Sequence, residues 1–127
     1  MRLTMHNVGF GDCFELEENN HRLLVDCGSK NKLLPNPANG TFLHFVDMLF
    51  SNFNFRDEET NEIITRDALL THFHEDHYKG FKRIAKKFEK DSKLKRFDRF
   101  YVPYIAFSDK DKYGIIFVKM AVYLYCF

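Results

Sequence analysis

One short segment, residues 67–77, places stronger limits on this chain than any other. An apolar run at 67–71 (DALLT) leads directly into residues 72–77 (HFHEDH), which hold three of the six histidines in the chain. Neutral imidazole and carboxylate groups are ligands that suit zinc and its first-row neighbours, and a loop at the end of a strand can direct several of them to one point. The segment therefore predicts a buried strand followed by a transition-metal site. The alternative is a polar loop that is merely rich in histidine.

Before this segment the chain alternates between short strands and turns. Strands are predicted at 2–8, 13–16 and 21–25, separated by a glycine turn at 9–12 and by turn-forming residues at 17–20. Short strands joined in this way predict an antiparallel meander.

A helix is predicted after residues 35–40 (PNPANG), which interrupt regular structure. Its apolar residues recur at helical spacing at positions 42, 45, 46, 49, 50 and 53. This face is expected to pack into the core. His44 and Asp47 lie off it and are expected to point towards solvent.

Strand and helix signals alternate again in the rest of the chain. The run Ala68-Leu69-Leu70 is typical of a strand buried on both faces, as in a parallel sheet. Apolar residues then recur at positions 81, 84, 85 and 88 of a predicted helix whose other faces are basic. Residues 100–103 (FYVP) predict a further strand that the proline ends. This order of elements predicts an α/β fold, one half of an α/β sandwich.

Charge is distributed unevenly, although the formal net charge is only +1. Residues 1–78 have 6 Lys/Arg and 13 Asp/Glu, whereas residues 79–99 have 10 Lys/Arg and 3 Asp/Glu. A basic stretch beside a metal site can attract a phosphate-bearing substrate. A solvated helix face has the same composition, so both interpretations stay open at this point.

Cysteine usage and the first residues indicate the cellular compartment. The start of the chain (MRLTMHN) has no continuous apolar segment behind a basic head, which favours the cytoplasm. Cys13, Cys27 and Cys126 are odd in number and lack the paired spacing of a zinc or redox motif, so they are predicted to be reduced core thiols. Cys27 follows Asp26 near the predicted site, but cysteine is among the most buried residue types, which favours a structural role.

Three motifs resemble those of the metallo-β-lactamase fold hydrolases. Residues 72–77 resemble the family's H-x-H-x-D-H signature, and residues 76–80 (DHYKG) resemble its D-H-x-x-G continuation. Residues 23–28 (LLVDCG) resemble the family strand that ends in D-x-G. Residues 6–13 (HNVGFGDC) resemble the V-G-x-G-D opening of the branch related to the bacterial DNA-uptake competence proteins. The resemblance implies a metallo-β-lactamase-like αββα sandwich, of which this sequence is the amino-terminal half.

The resemblance also implies a dinuclear site that holds two Zn²⁺ or Mn²⁺ ions. His72 and His74 would bind the first ion. Asp76 and His77 would bind the second, and Asp76 would also be the catalytic residue that orients the attacking water and passes its proton on. Asp26 is implied to be a carboxylate that fixes the orientation of the histidines.

After His77 the sequence departs from the family pattern. Complete members supply a further histidine, a bridging aspartate and a last histidine from later in the chain, whereas no histidine follows His77 in this sequence. Glu75 occupies the variable position of the motif and is interpreted as a solvated charge. The later aspartates stand in charged contexts unlike the bridging motif: Asp91, Asp98, Asp109 and Asp111. The remaining histidines are interpreted as exposed or structurally satisfied: His6, His21 and His44.

Residues 1–127 are predicted to form a single, truncated domain. Residues 115–127 are almost wholly apolar, interrupted only by Lys119. They are too few for a transmembrane helix, which needs about 20 residues, so no membrane association is predicted. They favour a core element with an incompletely covered apolar face, which leads to self-association or pairing with a complementing chain.

Two hypotheses follow from the sequence. The first is a metal-dependent hydrolase of a small-molecule or phosphodiester substrate, active only when its missing ligands are supplied. The competence-like opening and the basic stretch favour phosphodiesters, with nucleic acid as one candidate partner. The second is a non-catalytic remnant or interaction module that retains a partial metal site. The substrate class does not follow from the fold, because one fold supports many reactions.

Overall fold

The computed structural model describes residues 1–51, 64–91 and 97–103, and every statement about the fold concerns these residues. They form five strands and two helices, with one short 3₁₀ turn at Pro37–Asn39. The elements are β1 Arg2–Met5, β2 Cys13–Glu18, β3 His21–Cys27, α1 Phe42–Ser51, β4 Thr65–Leu69, α2 Glu75–Lys90 and β5 Arg99–Tyr101. The α/β class predicted from the sequence is confirmed.

The strands form one sheet in the order β1-β2-β3-β4-β5. β1, β2 and β3 pair antiparallel, which confirms the predicted meander, and β3, β4 and β5 pair parallel. β2 and β3 are longer than predicted because their pairing continues to Cys13↔Cys27 at one end and to Glu18↔His21 at the other. Since β3 and β4 run in the same direction, the residues that follow them meet at one edge of the sheet.

The two helices pack against each other, and α2 also packs against β3. Phe42 and Val46 of α1 are buried, as the predicted apolar face requires, while residue 53 lies outside the described residues. In α2 the four apolar residues predicted to face the core are buried: Phe81, Ile84, Ala85 and Phe88.

Gly80 allows α2 to lie close to β3. A Cβ atom at this position would overlap the Cys27 side chain and its carbonyl oxygen. The helix therefore approaches the strand more closely than any other residue at position 80 would permit.

The two faces of the sheet differ in how far they are covered. Strand partners place their side chains on the same face, so the register defines each face. Leu24 and Ala68 point to the helix side and are buried in the same core as α1 and α2. The opposite face has polar residues such as His21, Asp67 and Arg99 at one end, but it has apolar side chains on all five strands. These apolar side chains are exposed or only half-buried: Leu3, Met5, Phe14, Leu16, Leu23, Val25, Leu69 and Tyr101. Among the described residues, no helix lies on this second face.

Two expectations fall on residues that the structure does not describe. The apolar segment 115–127 and Cys126 lie outside the described residues.

Among the helices of the described part of the chain, none combines the length and the apolar character that a membrane crossing requires.

The expectation that His44 and Asp47 point to solvent was correct for His44 and wrong for Asp47. His44 is exposed, as expected. Asp47 instead accepts two hydrogen bonds from Arg83 of α2, from Nε and Nη2 at 3.0 Å each, and its other contact is Lys87 Nζ at 3.1 Å. The hydrogen bond from Arg83 lowers the pKa of the Asp47 carboxyl below its usual range. The pair links the two helices, which the sequence pattern of α1 alone does not reveal.

Asp47 is expected to stabilise the fold in a pH-dependent manner. Because its pKa is lowered in the folded state, the stabilisation is present above the unfolded pKa of about 3.9 and is lost as the pH falls through the folded value. Asp47→Asn should lower the free energy of unfolding by about 0.5–1 kcal/mol at pH 7. Urea denaturation at pH 7 and at pH 3 measures this. An equal deficit at both values would contradict an ionic contribution, and Arg83→Gln should lose no further stability in the Asp47→Asn background.

Candidate metal centre

The histidine-rich segment is divided between a loop and a helix. β4 ends at Leu69, and α2 begins at Glu75 with Glu75 and Asp76 in its first turn. The expectation that residues 72–77 form one loop was therefore wrong for its second half. Acidic residues are favourable at a helix N-terminus, which explains why the helix begins inside the motif. Asp76 and His77 are consequently held by helical backbone, whereas His72 and His74 belong to the connection.

The structure brings the three imidazoles of the motif together. The ring centroids of His72 and His74 are 4.8 Å apart, and those of His72 and His77 are 3.6 Å apart. His72 and His74 are exposed, while His77 is buried. The site thus has one buried ligand-type side chain at its base and two at its open side.

Asp76 lies against His77 and has an unsatisfied oxygen. Its Oδ2 is 3.7 Å from Nε2 of His77. Its Oδ1 is buried and has no hydrogen-bond partner among the described residues. A buried carboxylate oxygen without a partner is costly, and a bound cation or water satisfies it. This oxygen fits the metal-ligand role that the motif implies.

The Asp26 carboxylate connects the end of β3 to the residues around the site. It accepts hydrogen bonds from the Thr71 backbone N–H at 2.7 Å and from Thr71 Oγ1 at 2.6 Å. It also lies 2.9 Å from Nδ1 of His77. Because an ionised carboxylate can only accept, His77 donates from Nδ1 and keeps its Nε2 lone pair on the Asp76 side.

Thr71 extends the same network to His72. Its Oγ1 is 3.0 Å from Nδ1 of His72. Since the single hydroxyl proton of Thr71 goes to Asp26, the hydroxyl accepts from His72 Nδ1, and His72 also keeps its Nε2 lone pair. Thus one carboxylate, directly and through Thr71, sets the tautomer of two histidines. The role that the resemblance implies for Asp26 agrees with this geometry, while Thr71 had no assigned role in the sequence.

Backbone geometry brings Asp26 under the site. Its φ of 52° lies in the left-handed region, which aspartate tolerates better than most residues. Two residues on, Gly28 contacts the first turn of α2, and a Cβ atom there would overlap the backbone of Asp76 and His77. The end of β3 therefore sits directly against the backbone that holds two of the predicted ligands.

Asp12 is a further acidic residue at the site. Its backbone N–H donates to the Asp76 carbonyl at 3.1 Å, and its Oδ2 is 3.5 Å from Nδ1 of His77. Within the described residues, Asp12, Asp26 and His77 are the set of ligand-type side chains whose ligand atoms all lie within 4.8 Å of one another. His72, His74 and Asp76 fall outside this set. In the sequence, Asp12 was visible only as the last residue of the glycine turn, and this position did not predict that it would lie beside His77.

A cation could therefore lie at either of two positions around the His77 ring. One lies on the Nδ1 side of His77 among the carboxylates, and the other lies on its Nε2 side beside Asp76. Because His77 Nδ1 donates to Asp26, a cation on the first side would have to displace that proton. The hydrogen-bond pattern therefore favours the Nε2 side.

The histidines outside the motif have other partners or are exposed. His6 Nε2 is 2.6 Å from Glu15, His21 Nε2 is 2.8 Å from Asp67, and His44 is exposed. These findings agree with the interpretation that none of them completes the site. Glu75 is exposed, as expected.

Cys13 and Cys27 are free and buried, as predicted. A hydrogen bond with Cys27, together with burial, raises the pKa of the Cys13 thiol well above its usual range. A thiol that stays protonated is a poor metal ligand. Both cysteines belong to the buried apolar core beside the site.

Comparison with protein-family models, with curated proteins and with solved structures finds no match to this chain. The family resemblance consequently rests on the sequence motifs.

Asp26→Asn should weaken metal binding without disturbing the backbone, because asparagine also tolerates the left-handed conformation. The amide cannot serve as an acceptor to the same extent, so the orientation of His77 and Thr71 is lost, and zinc affinity should fall about 10–100-fold. Isothermal titration with Zn²⁺ measures the change. Glu15→Gln, which alters the carboxylate beside His6, is the matched control and should leave the affinity unchanged. Equal effects of the two variants would contradict the role of Asp26.

Proposed function

We propose that this chain is a metal-dependent hydrolase domain of the metallo-β-lactamase type that acts on phosphodiesters. One observation supports this most directly. The Asp26 and Thr71 network leaves the Nε2 atoms of His72 and His77 free to bind a cation, next to a buried Asp76 oxygen without a partner among the described residues. A purely structural histidine cluster has no need of this arrangement.

In this proposal His72 and His74 hold one ion, and Asp76 and His77 hold the second, with Zn²⁺ or Mn²⁺ as the cations. Zn²⁺ and Mn²⁺ both bind imidazole and carboxylate ligands. When bound, the ions supply Lewis acidity and a nucleophile available at neutral pH.

The side chains of the chain itself position the reactants. One carboxylate oxygen of Asp76 would hold the ion, and the other would accept a hydrogen bond from a water molecule and take up its proton, which is the catalytic role proposed for Asp76. Asp26 acts through His77 and Thr71 and is a positioning residue. Its burial, with only 2% of its surface exposed, keeps this hydrogen-bond network away from competing water.

The uncovered apolar face of the sheet supports the proposed αββα architecture. Leu3, Met5 and Tyr101 are 56%, 68% and 45% exposed on the face that lacks helices among the described residues. A sheet that is apolar on both faces needs a layer on each side, and a second sheet is the usual cover where helices are confined to one face. We therefore propose that the described sheet is one half of such a sandwich.

A second candidate function follows from the ligand count. Among the described residues, the ion at His72 and His74 would have two protein ligands, where catalytic zinc usually has three. A module that binds metal without catalysis, and that interacts through the uncovered sheet face, is consistent with this count.

Metal loading followed by an activity assay tests the proposed function. After incubation with Zn²⁺ or Mn²⁺ and removal of free metal, the wild type should retain metal, while His72→Ala/His74→Ala should retain less. Turnover of bis(4-nitrophenyl) phosphate should be slow, since one ion lacks a third histidine, and Asp76→Ala should reduce it by about 10²–10⁴-fold. Circular dichroism checks that both variants fold.

The outcomes separate the two candidate functions. Bound metal with no turnover would favour the non-catalytic module. Equal, low metal content in the wild type and the double variant would overturn metal binding, and turnover that is unaffected by Asp76→Ala would overturn the catalytic role.

The sandwich proposal makes its own prediction about the open sheet face. The wild type should self-associate and bind an apolar dye, because contiguous exposed apolar surface favours both. Leu3→Lys/Met5→Lys should reduce dye fluorescence by about twofold and shift sedimentation towards the monomer. Leu33→Lys/Leu43→Lys, which alters exposed leucines outside the sheet, is the control. A wild-type monomer without dye binding would contradict an uncovered face.

A further inference from the structure

A groove between α1 and α2 has a strongly basic wall. The cleft has a volume of about 210 Å³. Leu43 of α1 and Tyr78 of α2 form its apolar lining, and Lys79, Lys82 and Lys86 form its charged side. The groove lies on the helix side of the molecule, so it is separate from the open face of the sheet.

The three lysines follow one line along α2. Their spacing of three and four residues puts them on the same side of the helix, with rises of about 4.5 and 6 Å. Within the described residues, Lys82 and Lys86 are exposed and have no ion-pair partner. The Lys79 ammonium lies over the Phe42 ring, 5.9 Å from its centroid, at the wall of the groove.

The other cations of this region are already compensated. Arg83 also lines the groove, but its guanidinium is held by Asp47, and Lys87 contacts the same carboxylate. Among the described residues that line the groove, the cations without an ion-pair partner are therefore those of the lysine row, and Glu75 adds one carboxylate at its end. The row of unpaired cations along a groove favours a binding face over a solvated one.

The groove begins beside the metal centre. Glu75, which lines one end, directly follows His74. Lys79 is about one helical turn further along, and Lys86 is about 16 Å from Glu75 along the helix axis. A linear anion that lies on the lysine row therefore has one end next to the predicted ligands.

We propose that this groove binds the phosphate backbone of a single-stranded nucleic acid and leads the strand to the His72–His77 segment. Binding itself does not depend on the proposed function; only delivery to a hydrolytic site rests on it. A row of cations with an apolar wall suits a single strand, whose phosphates follow the cations and whose bases contact apolar side chains. A duplex would reach the lysine row with the phosphates of one strand only, and its paired bases could not contact the apolar wall.

Fluorescence anisotropy with a labelled oligo-dT 12-mer tests the proposal, on metal-free protein in EDTA. Three phosphate contacts predict that the logarithm of the association constant falls with the logarithm of salt concentration with a slope of about −2. Lys82→Ala/Lys86→Ala should reduce the slope to about −0.7 and weaken binding at least tenfold at low salt. A 12-base-pair duplex should bind more weakly than the single strand.

Matched variants make the test specific. Lys32→Ala/Lys90→Ala changes the net charge equally, outside the groove, and should bind as the wild type does. Lys82→Ala/Lys86→Ala should retain as much Zn²⁺ as the wild type after metal loading, which separates a failure of the groove from a failure of the metal site. Equal losses in the two lysine variants, a slope near zero, or tighter binding of the duplex would each overturn the proposal.

Discussion

The buried Asp26 carboxylate is the interaction on which the rest of the site depends. It joins the end of β3 to Thr71, two residues after β4, and to His77 in the first turn of α2, 51 residues from Asp26 in sequence. Hydrogen bonds to a charged group contribute about 1.5–3 kcal/mol each, whereas a buried carboxylate without partners is strongly destabilising. All three contacts must therefore form together, and their formation fixes both the position of α2 and the tautomers of the histidines.

Two glycines make this arrangement sterically possible. Gly28 lets the strand end contact the backbone of Asp76 and His77, and Gly80 lets the next turn of α2 contact Cys27. These contacts hold the helix start at a fixed distance from Asp26. The ligand-type side chains on α2 are consequently positioned by backbone packing, while His72 and His74, in the exposed connection, depend more on the Thr71 hydrogen bond.

Local sequence patterns predicted most of the described elements, and the departures have physical causes. Alternating strands and turns predicted the meander, and helical spacing predicted the buried face of α2, since both depend on neighbouring residues. The link from Asp47 to Arg83 was missed because the two residues lie 36 positions apart, on different helices, and a local pattern does not pair them. The place of Asp12 beside His77 was missed because these residues are also distant in sequence. The start of α2 within the motif was also missed, because the histidine spacing outweighed the helix-start signal of two acidic residues.

The sheet changes from antiparallel to parallel pairing at β3, and this has a consequence for folding. β1 to β3 pair through short turns, so the meander can form early from local contacts. The contact of Asp26 with Thr71 closes a loop of 45 residues, and its entropic cost must be met before β4 and α2 add their stabilising contacts. The Asp26 network that orients the ligands therefore depends on contacts between residues distant in sequence. A cation bound at this centre would prefer the fully formed chain, and its binding would report that folding had reached completion.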